Sequence, residues 1–259
     1  MVSWPAKSFA AMTESTQLST LPPQQRAVQA SGDHALTERL NDLLPQTQCT
    51  RCGYPQCRDY ARALAAGETA LNRCPPGGSA GIAKLAQVLQ QPELPLDPSC
   101  GTEGPRLLAW IDPVDCIGCT KCILACPTDA IIGGPKRMHT VLPALCTGCE
   151  LCVPPCPVDC IELTPSPDTS PWTADDAAAA RQRFEQRNAR RQRQLEQDHE
   201  RFGAEAGAKM NELEQQAGTA TDPALDKKKA VIAAAMARAE QRRQQRRNAT
   251  PPSPTARDD

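Results

Sequence analysis

One cysteine pattern occurs twice in this chain, and it constrains the fold more than any other feature. Each copy has the spacing C-x2-C-x2-C-x3-C-P, and the second copy begins at position 146, 30 residues after the first at 116. This run is the bacterial ferredoxin pattern, in which cysteine thiolates hold [4Fe–4S] clusters. The two copies are Cys116, Cys119, Cys122 and Cys126, followed by Pro127, and Cys146, Cys149, Cys152 and Cys156, followed by Pro157.

The ligands of the two clusters are expected to cross between the copies. In two-cluster ferredoxins the fourth cysteine of each run ligates the other cluster. Gly118 and Gly148 let the two loops turn tightly. We therefore assign one cluster to Cys116, Cys119, Cys122 and Cys156, and another to Cys146, Cys149, Cys152 and Cys126. This exchange ties the two halves together and holds the clusters close enough for electrons to pass between them.

Zinc and disulfides are alternative interpretations of the same cysteines. Zinc sites favour two separated C-x2-C pairs, whereas each run here has three evenly spaced cysteines and a fourth. A disulfide framework is possible for an even number of cysteines, and the chain has 14. However, residues 1–12 contain no apolar core of signal-peptide length, and disulfides are rare in reducing compartments. The doubled run therefore favours iron–sulfur clusters.

A different set of four cysteines precedes the repeats. Three of them lie in a short loop that contains Gly53 and Pro55, and the fourth is remote, which suits a further iron–sulfur cluster. On spacing alone, zinc remains an alternative. The set, with the spacing C-x2-C-x4-C-x16-C, is Cys49, Cys52, Cys57 and Cys74.

Two cysteines and a histidine remain near these motifs. Cys160 stands where the first repeat has Ala130, so we predict that it packs in a small buried space. Cys100 has no partner at a recognisable spacing and is interpreted as a spare thiol in a linker. His139 lies between the repeats, and we expect it not to be a ligand, because each cluster already has four cysteines.

The composition favours several small modules over one large core. The 259 residues include 25 prolines but only three Trp, two Tyr and three Phe, which suits small cluster-stapled domains. We predict an α+β protein with a disordered leader over 1–31, a small helical four-cysteine [4Fe–4S] module over 32–91 and a linker over 92–106. A bacterial-type two-cluster ferredoxin domain follows over 107–165, and a charged helical tail with a disordered end over 166–259. Within the ferredoxin domain, strands are predicted near 106–111, 130–132, 138–142 and 160–162.

The tail is predicted to form helices over 173–214 and 226–247. It is interpreted either as a solvated extension or as an attachment to a partner subunit or to anionic lipid through its basic end. Its lack of interleaved aromatic residues argues against nucleic acid. No run of about 18 apolar residues occurs, so we expect no transmembrane helix. The chain also lacks a P-loop and a dinucleotide-binding G-x-G-x-x-G, so it is expected to be non-catalytic on its own, without a small-molecule substrate.

Three stretches together resemble the RnfB/RsxB-type ferredoxin family of the Rnf/Rsx ion-translocating electron-transport complex. They are the run from Leu43 to Cys57, the segment from Cys74 to Gly78, and the two repeats through Glu162. The resemblance spans about residues 34 to 165. It implies a third [4Fe–4S] cluster on Cys49, Cys52, Cys57 and Cys74, hence three in all. It also implies a role in passing electrons between a reduced donor and NAD in a bacterial inner-membrane complex.

The leading hypothesis is therefore an electron-transfer iron–sulfur protein that works with other subunits of such a complex. Members of this family usually begin with a membrane-spanning helix, whereas residues 1–31 are polar. We accordingly expect a cytoplasmic protein, or one peripheral on the cytoplasmic face of the inner membrane. The alternatives are a soluble polyferredoxin that donates to another reductase, and a redox sensor or cluster scaffold.

Overall fold

The computed structural model describes residues 34–217 and 223–248. The predicted leader over 1–31 and the predicted disordered end after residue 248 lie outside this part. The first described segment is helical, with α1 over 34–43, α2 over Cys57–Ala65 and α3 over Gly78–Leu89. The strands follow as β1 over Leu107–Ile111, β2 over Ile131–Gly134, β3 over Arg137–Val141 and β4 over Ile161–Pro165, with the short helix α4 over Lys121–Ala125. Two long helices come last, α5 over Ala174–Ala217 and α6 over Pro223–Asn248.

The described residues thus contain both helices and antiparallel strands, as predicted for an α+β protein. The core of the helical segment contains Leu40 of α1 and Leu44, which directly follows α1, and both are buried. Tyr60 of α2 is buried against them, and its hydroxyl donates to the carbonyl of Ala70 (2.9 Å). The same hydroxyl accepts from the backbone N–H of Arg73 (3.2 Å). These two hydrogen bonds hold the segment from Ala70 to Arg73 against α2, directly before Cys74.

The strands of the repeat region pair across the two repeats. β1 is antiparallel to β4, and β2 is antiparallel to β3. A shift of 30 residues maps β1 onto β3, since Leu107–Ile111 becomes Arg137–Val141, and it maps the start of β2 at Ile131 onto the start of β4 at Ile161. Each small sheet therefore combines the leading strand of one repeat with the return strand of the other. This pairing gives the region its internal twofold pattern.

The first turns of α5 contact both the helical segment and the first repeat. Arg181 forms ion pairs with Glu38 (2.7 Å) and Asp42 (2.6 Å) of α1. Further along α5, Arg190 pairs with Asp129 (2.7 Å), and the buried Arg187 donates to the carbonyl of Leu124. The interpretation of the tail as a solvated extension is therefore wrong for this part of α5. Its arginines looked like surface charges because their partners are far away in sequence.

The rest of the tail is more exposed. α6 contacts α5, and Leu213 and Leu225 are buried near their junction. The large apolar residues Val231 and Met236 of α6 are exposed. None of the helices in the described part of the chain combines the length and apolar character that a membrane crossing requires.

Ala180 offers a test of the docking of α5, because it is fully buried next to Arg181. We expect Ala180→Leu to weaken docking by roughly 1–3 kcal/mol, the usual cost of overpacking a filled site. Limited proteolysis at the arginines of α5 should then become several times faster. Ala178→Leu is the matched control, since Ala178 is exposed on the same turn. Equal proteolysis rates for the two variants would contradict the docked arrangement.

Candidate iron–sulfur centres

Group A is the set Cys49, Cys52, Cys57 and Cys74, and the structure brings all four side chains to one cavity. The space between its lining residues is about 310 Å³, part of it open to solvent, and beside the cysteines it is lined equally by apolar or aromatic side chains such as Leu44 and Tyr60 and by polar ones such as Gln48. Thiolates are soft ligands that suit iron–sulfur clusters. The donor set and the enclosing wall therefore fit the cluster predicted for these cysteines.

A row of buried amides shapes the loop of group A. Gln46 Nε2 donates to the carbonyl of Asn41 at the end of α1 (2.5 Å), and Gln48 Nε2 donates to Gln46 Oε1 (3.0 Å). Gln48 Oε1 in turn accepts from the backbone N–H of Cys57 (2.9 Å). Gln46 and Gln48 both have left-handed backbone conformations, with φ of 57° and 55°. Sequence reasoning missed these residues, and their only signal was the placement of glutamines between Leu44 and the first cysteine.

Group B is the set Cys116, Cys119, Cys122 and Cys156, and these side chains also surround one cavity. The space between its lining residues is about 260 Å³, part of it open to solvent, and its wall includes Ile111, Ile161, His139 and Cys160. The fourth cysteine comes from the second repeat, which is the crossed arrangement predicted from the run. Ile117 and Val158 line the cavity and are also 58% and 39% exposed. Group B therefore lies close to the protein surface.

Group C is the set Cys126, Cys146, Cys149 and Cys152. The pKa of Cys152 is raised by burial and then by the neighbouring thiols of the other three members. Cys126 again comes from the other repeat, and its sulfur accepts from the backbone N–H of Ala130 (3.2 Å). The neighbours of Cys152 are therefore the cysteines expected for this group, and the binding of clusters by the twelve cysteines stays a prediction.

The loops of groups B and C each turn at a glycine in an equivalent position. Gly118 and Gly148 have φ of 70° and 69°, and each faces the start of a strand so closely that a Cβ would collide with its backbone. Gly118 meets Arg137 of β3, and Gly148 meets Leu107 of β1. Only glycine combines this left-handed conformation with so close an approach. Each loop is thereby pressed against a strand at an equivalent position of the twofold pattern.

Burial dominates the protonation of these thiols. Removal from water disfavours the thiolate, so burial raises the pKa of Cys52 and Cys122 to about 11, and that of Cys57, Cys149 and Cys152 to about 12. Cys156 is an exception. Burial would raise its pKa, but hydrogen bonds from the backbone N–H groups of Val158 and Cys160, among others, lower it.

Group C lies next to group A. Thr147 Oγ1, in the loop of group C, donates to the carbonyl of Thr47 in the loop of group A (3.3 Å). Arg51 and Glu150 form an ion pair between the same two loops. The helical segment therefore docks on the repeat region at group C.

Three residues left over from the cysteine motifs also lie near these groups. Cys160 is buried, and its sulfur lies 3.6 Å from that of Cys156. Burial and the hydrogen bond with Cys156 raise the pKa of Cys160 to about 12. Cys100 is buried in a short 3₁₀ turn, Pro98–Cys100, and its sulfur lies 3.9 Å from the hydroxyl of Ser99. His139 places its Nδ1 atom 3.2 Å from the sulfur of Cys122, a proximity that the sequence did not indicate.

Comparisons with known proteins agree with this geometry. The family described as "4Fe-4S dicluster domain" matches residues 109–163, and the family described as "Putative Fe-S cluster" matches residues 44–76. The first match contains groups B and C, and the second contains all of group A.

Several similar proteins are named as the B subunit of an ion-translocating oxidoreductase complex. The protein of Thiobacillus denitrificans is 54% identical over 98 residues, which are 38% of this chain and 52% of that protein. The protein of Pseudomonas aeruginosa is 55% identical over 133 residues, 51% of this chain and 69% of the relative. That of Pseudomonas paraeruginosa is 54% identical over 138 residues, 53% and 72%. The chain spans about half the length of several of these relatives, but more than two thirds of the two Pseudomonas proteins. With this identity and coverage, the chain belongs to the RnfB/RsxB family of ion-translocating oxidoreductase complexes.

Proposed function

We propose that this chain is an electron-transfer subunit that holds three [4Fe–4S] clusters, one in each cysteine group. The observation that supports the proposal is the grouping of the cysteines: four line the cavity of group A, four line that of group B, and in group C three thiols lie close enough to Cys152 to raise its pKa. A [4Fe–4S] cluster, when bound, accepts and gives up one electron at a low potential. In this proposal the cysteines hold the clusters, and the surrounding side chains exclude water and set the potentials.

The contacts between loops support one order of electron transfer. Arg51 and Glu150 hold the loop of group A against the loop of group C. Groups B and C exchange Cys126 and Cys156, so they are linked through the covalent chain itself. The order is therefore A, C, B, or the reverse. Group B, with the half-exposed Ile117 and Val158 in its wall, is the end at which a redox partner contacts the repeat region.

The partners proposed are the other subunits of an ion-translocating oxidoreductase complex, because the relatives carry that name. We place the chain on the cytoplasmic face of the inner membrane, attached through other subunits. α6, with its exposed Val231 and Met236 and its arginines, is an available attachment surface.

Anaerobic affinity purification of the full chain from gently solubilised membranes tests the partner proposal. We expect integral membrane subunits to copurify, and a wash at high salt to release them if the contact is electrostatic. Failure to recover any membrane subunit at low salt would overturn the complex assignment. A protein that still cycles electrons without such subunits would be a soluble polyferredoxin. One that hands its clusters to apo-proteins would be a scaffold.

The crossed ligand assignment predicts a specific pattern in double variants. Cys126 and Cys149 belong to one group, so Cys126→Ala/Cys149→Ala should lose no more iron than Cys149→Ala alone. Cys119→Ala/Cys126→Ala affects two groups and should lose the iron of both, leaving about four of about twelve iron atoms per chain. Iron analysis of anaerobically purified protein measures both. The reverse pattern would show that each run binds its own cluster.

Protonation of the thiols predicts proton uptake when the clusters are removed. Clusters are held by thiolates, whereas the free thiols, with pKa values of about 11 to 12 at five positions, are protonated at pH 8. Stripping the clusters with an iron chelator at pH 8 should therefore take up close to one proton for each of these cysteines. A pH indicator in weakly buffered solution measures the uptake, after correction with iron and sulfide added to the chelator alone. No uptake would mean that the free cysteines remain thiolates.

A further inference from the structure

The internal repeat supplies a comparison between groups B and C. A shift of 30 residues carries each ligand of one group onto a ligand of the other, so the surroundings of the two groups can be compared position by position. Two of the positions that differ next to the ligand sulfurs carry a donor at group B. Group B has His139 where the other repeat has Ala109, and it has Cys160 where the other repeat has Ala130. Both differences place a hydrogen-bond donor at group B and a methyl group at the equivalent position.

Group C in turn has two threonines where group B has apolar residues, Thr128 for Val158 and Thr147 for Ile117. The hydroxyl of Thr128 lies 3.9 Å from the sulfur of Cys126, but it donates to the carbonyl of Leu145 (2.9 Å). The hydroxyl of Thr147 donates to the carbonyl of Thr47 (3.3 Å). Because a hydroxyl has one proton, neither threonine adds a donor to a ligand sulfur.

His139 directs its ring at a ligand of group B. Its Nδ1 atom lies 3.2 Å from the sulfur of Cys122, and its backbone N–H donates to the sulfur of Cys116 (3.4 Å). The side chain is buried, with 2% of the residue exposed. A sulfur bound to iron has no proton, so Nδ1 must be the donor in this contact. The neutral tautomer with its proton on Nδ1 leaves only a lone pair on Nε2, which agrees with the lack of a hydrogen-bond partner for this buried atom among the described residues.

The residue that faces this ring on the neighbouring strand is a glycine, which leaves space for the imidazole. Gly133 of β2 has a φ of 147°, and a Cβ at this position would collide with Cδ2 of His139. In the other sheet the equivalent pair is Ala109 and Leu163, which are directly opposed. One sheet therefore pairs a large imidazole with glycine, and the other pairs alanine with a large leucine. In each sheet, therefore, the size of one residue matches the size of the residue that faces it, and the imidazole fits the space beside the glycine.

Cys160 adds a second donor to the same group. Its sulfur lies 3.6 Å from that of Cys156, and it lines the cavity of group B. When Cys156 is a ligand it has no proton to give, so the thiol of Cys160 is the donor. Its counterpart Ala130 is 1% exposed and has no polar group to offer.

Hydrogen bonds to ligand sulfurs shift the potential of a cluster in a known direction. Reduction adds one negative charge, which is spread over the sulfurs, so a donor stabilises the reduced form more than the oxidised form. The effect is strengthened in a buried, water-poor site. Two extra donors therefore make group B easier to reduce than group C.

We propose that His139 and Cys160 raise the reduction potential of the cluster at group B above that of the cluster at group C, so that an electron at group C passes downhill to group B. The inference rests on the proposed function, since it requires clusters in both groups. It gives the two halves of the repeat different roles. Group C, next to group A, passes electrons on, and group B, near the surface, holds them for the partner.

The test is a redox titration of the full holoprotein, followed anaerobically by electron paramagnetic resonance. His139→Ala and Cys160→Ala each install the residue of the other repeat. His139→Ala should lower one midpoint potential by about 59 mV, which for one electron is a tenfold change in the reduced-to-oxidised ratio. Cys160→Ala should lower the same midpoint potential by less. Cys119→Ala removes a ligand of group B, so the midpoint potential that disappears in this variant belongs to the cluster at group B. The midpoint potential that His139→Ala lowers should be the same one. Ala130→Cys is the mirror variant and should raise the midpoint of group C.

Iron content separates failure of this inference from failure of the proposed function. A wild-type protein that cannot hold about twelve iron atoms overturns the proposed function itself. If His139→Ala loses iron, two other variants replace it: His139→Leu fills the space without a donor, and His139→Gln supplies an amide donor. A lower midpoint potential in His139→Leu and partial recovery in His139→Gln support the proposal. Unchanged midpoints in iron-replete His139 and Cys160 variants overturn it.

Discussion

Four cysteine sulfurs must face one small cavity before a cluster can bind, and the rest of the repeat region depends on that requirement. Because the fourth sulfur of each group comes from the other repeat, neither repeat can complete a site by itself. The strands meet the same requirement, since β1 pairs with β4 and β2 with β3. Gly118 and Gly148 then press each three-cysteine loop against a strand. In the proposed function, bound clusters would therefore join the two repeats through the cysteines that they exchange.

The helical parts solve a different problem, which is the relative position of two small modules. Arg181 of α5 binds α1, while Arg187 and Arg190 bind the first repeat. Arg51 and Glu150 link the same two modules on the side of groups A and C. Small domains bury too little surface to fix their positions by apolar contact alone. The charges on α5 thus keep the loops of groups A and C in contact, which is a condition for electrons to pass between them.

The spacing of the cysteines allowed the sequence to predict which of them lie near one another, because spacing along a loop limits where each sulfur can point. It also predicted the strands of the repeats and that most of α5 and α6 is helical. It could not predict the docking of α5, because Arg181 and Arg187 have the same local surroundings as the exposed arginines further along the helix. It also missed the amide row of Gln46 and Gln48, whose partners are backbone atoms. For His139 the sequence predicted only that it is not a ligand, because its distance from the sulfur of Cys122 depends on the pairing of strands.

The position of His139 shows what a duplicated motif can reveal. The two repeats give groups B and C the same ligands, the same crossed connection and matching glycine turns, so those features cannot make the clusters differ. A difference in potential must arise from the residues that the repeats do not share. Beside the ligand sulfurs those residues include His139 and Cys160, against Ala109 and Ala130, and the facing Gly133 is adapted to the larger ring. Symmetry of the ligands thus allows electrons to move between equivalent sites, and asymmetry of their neighbours gives that movement a direction.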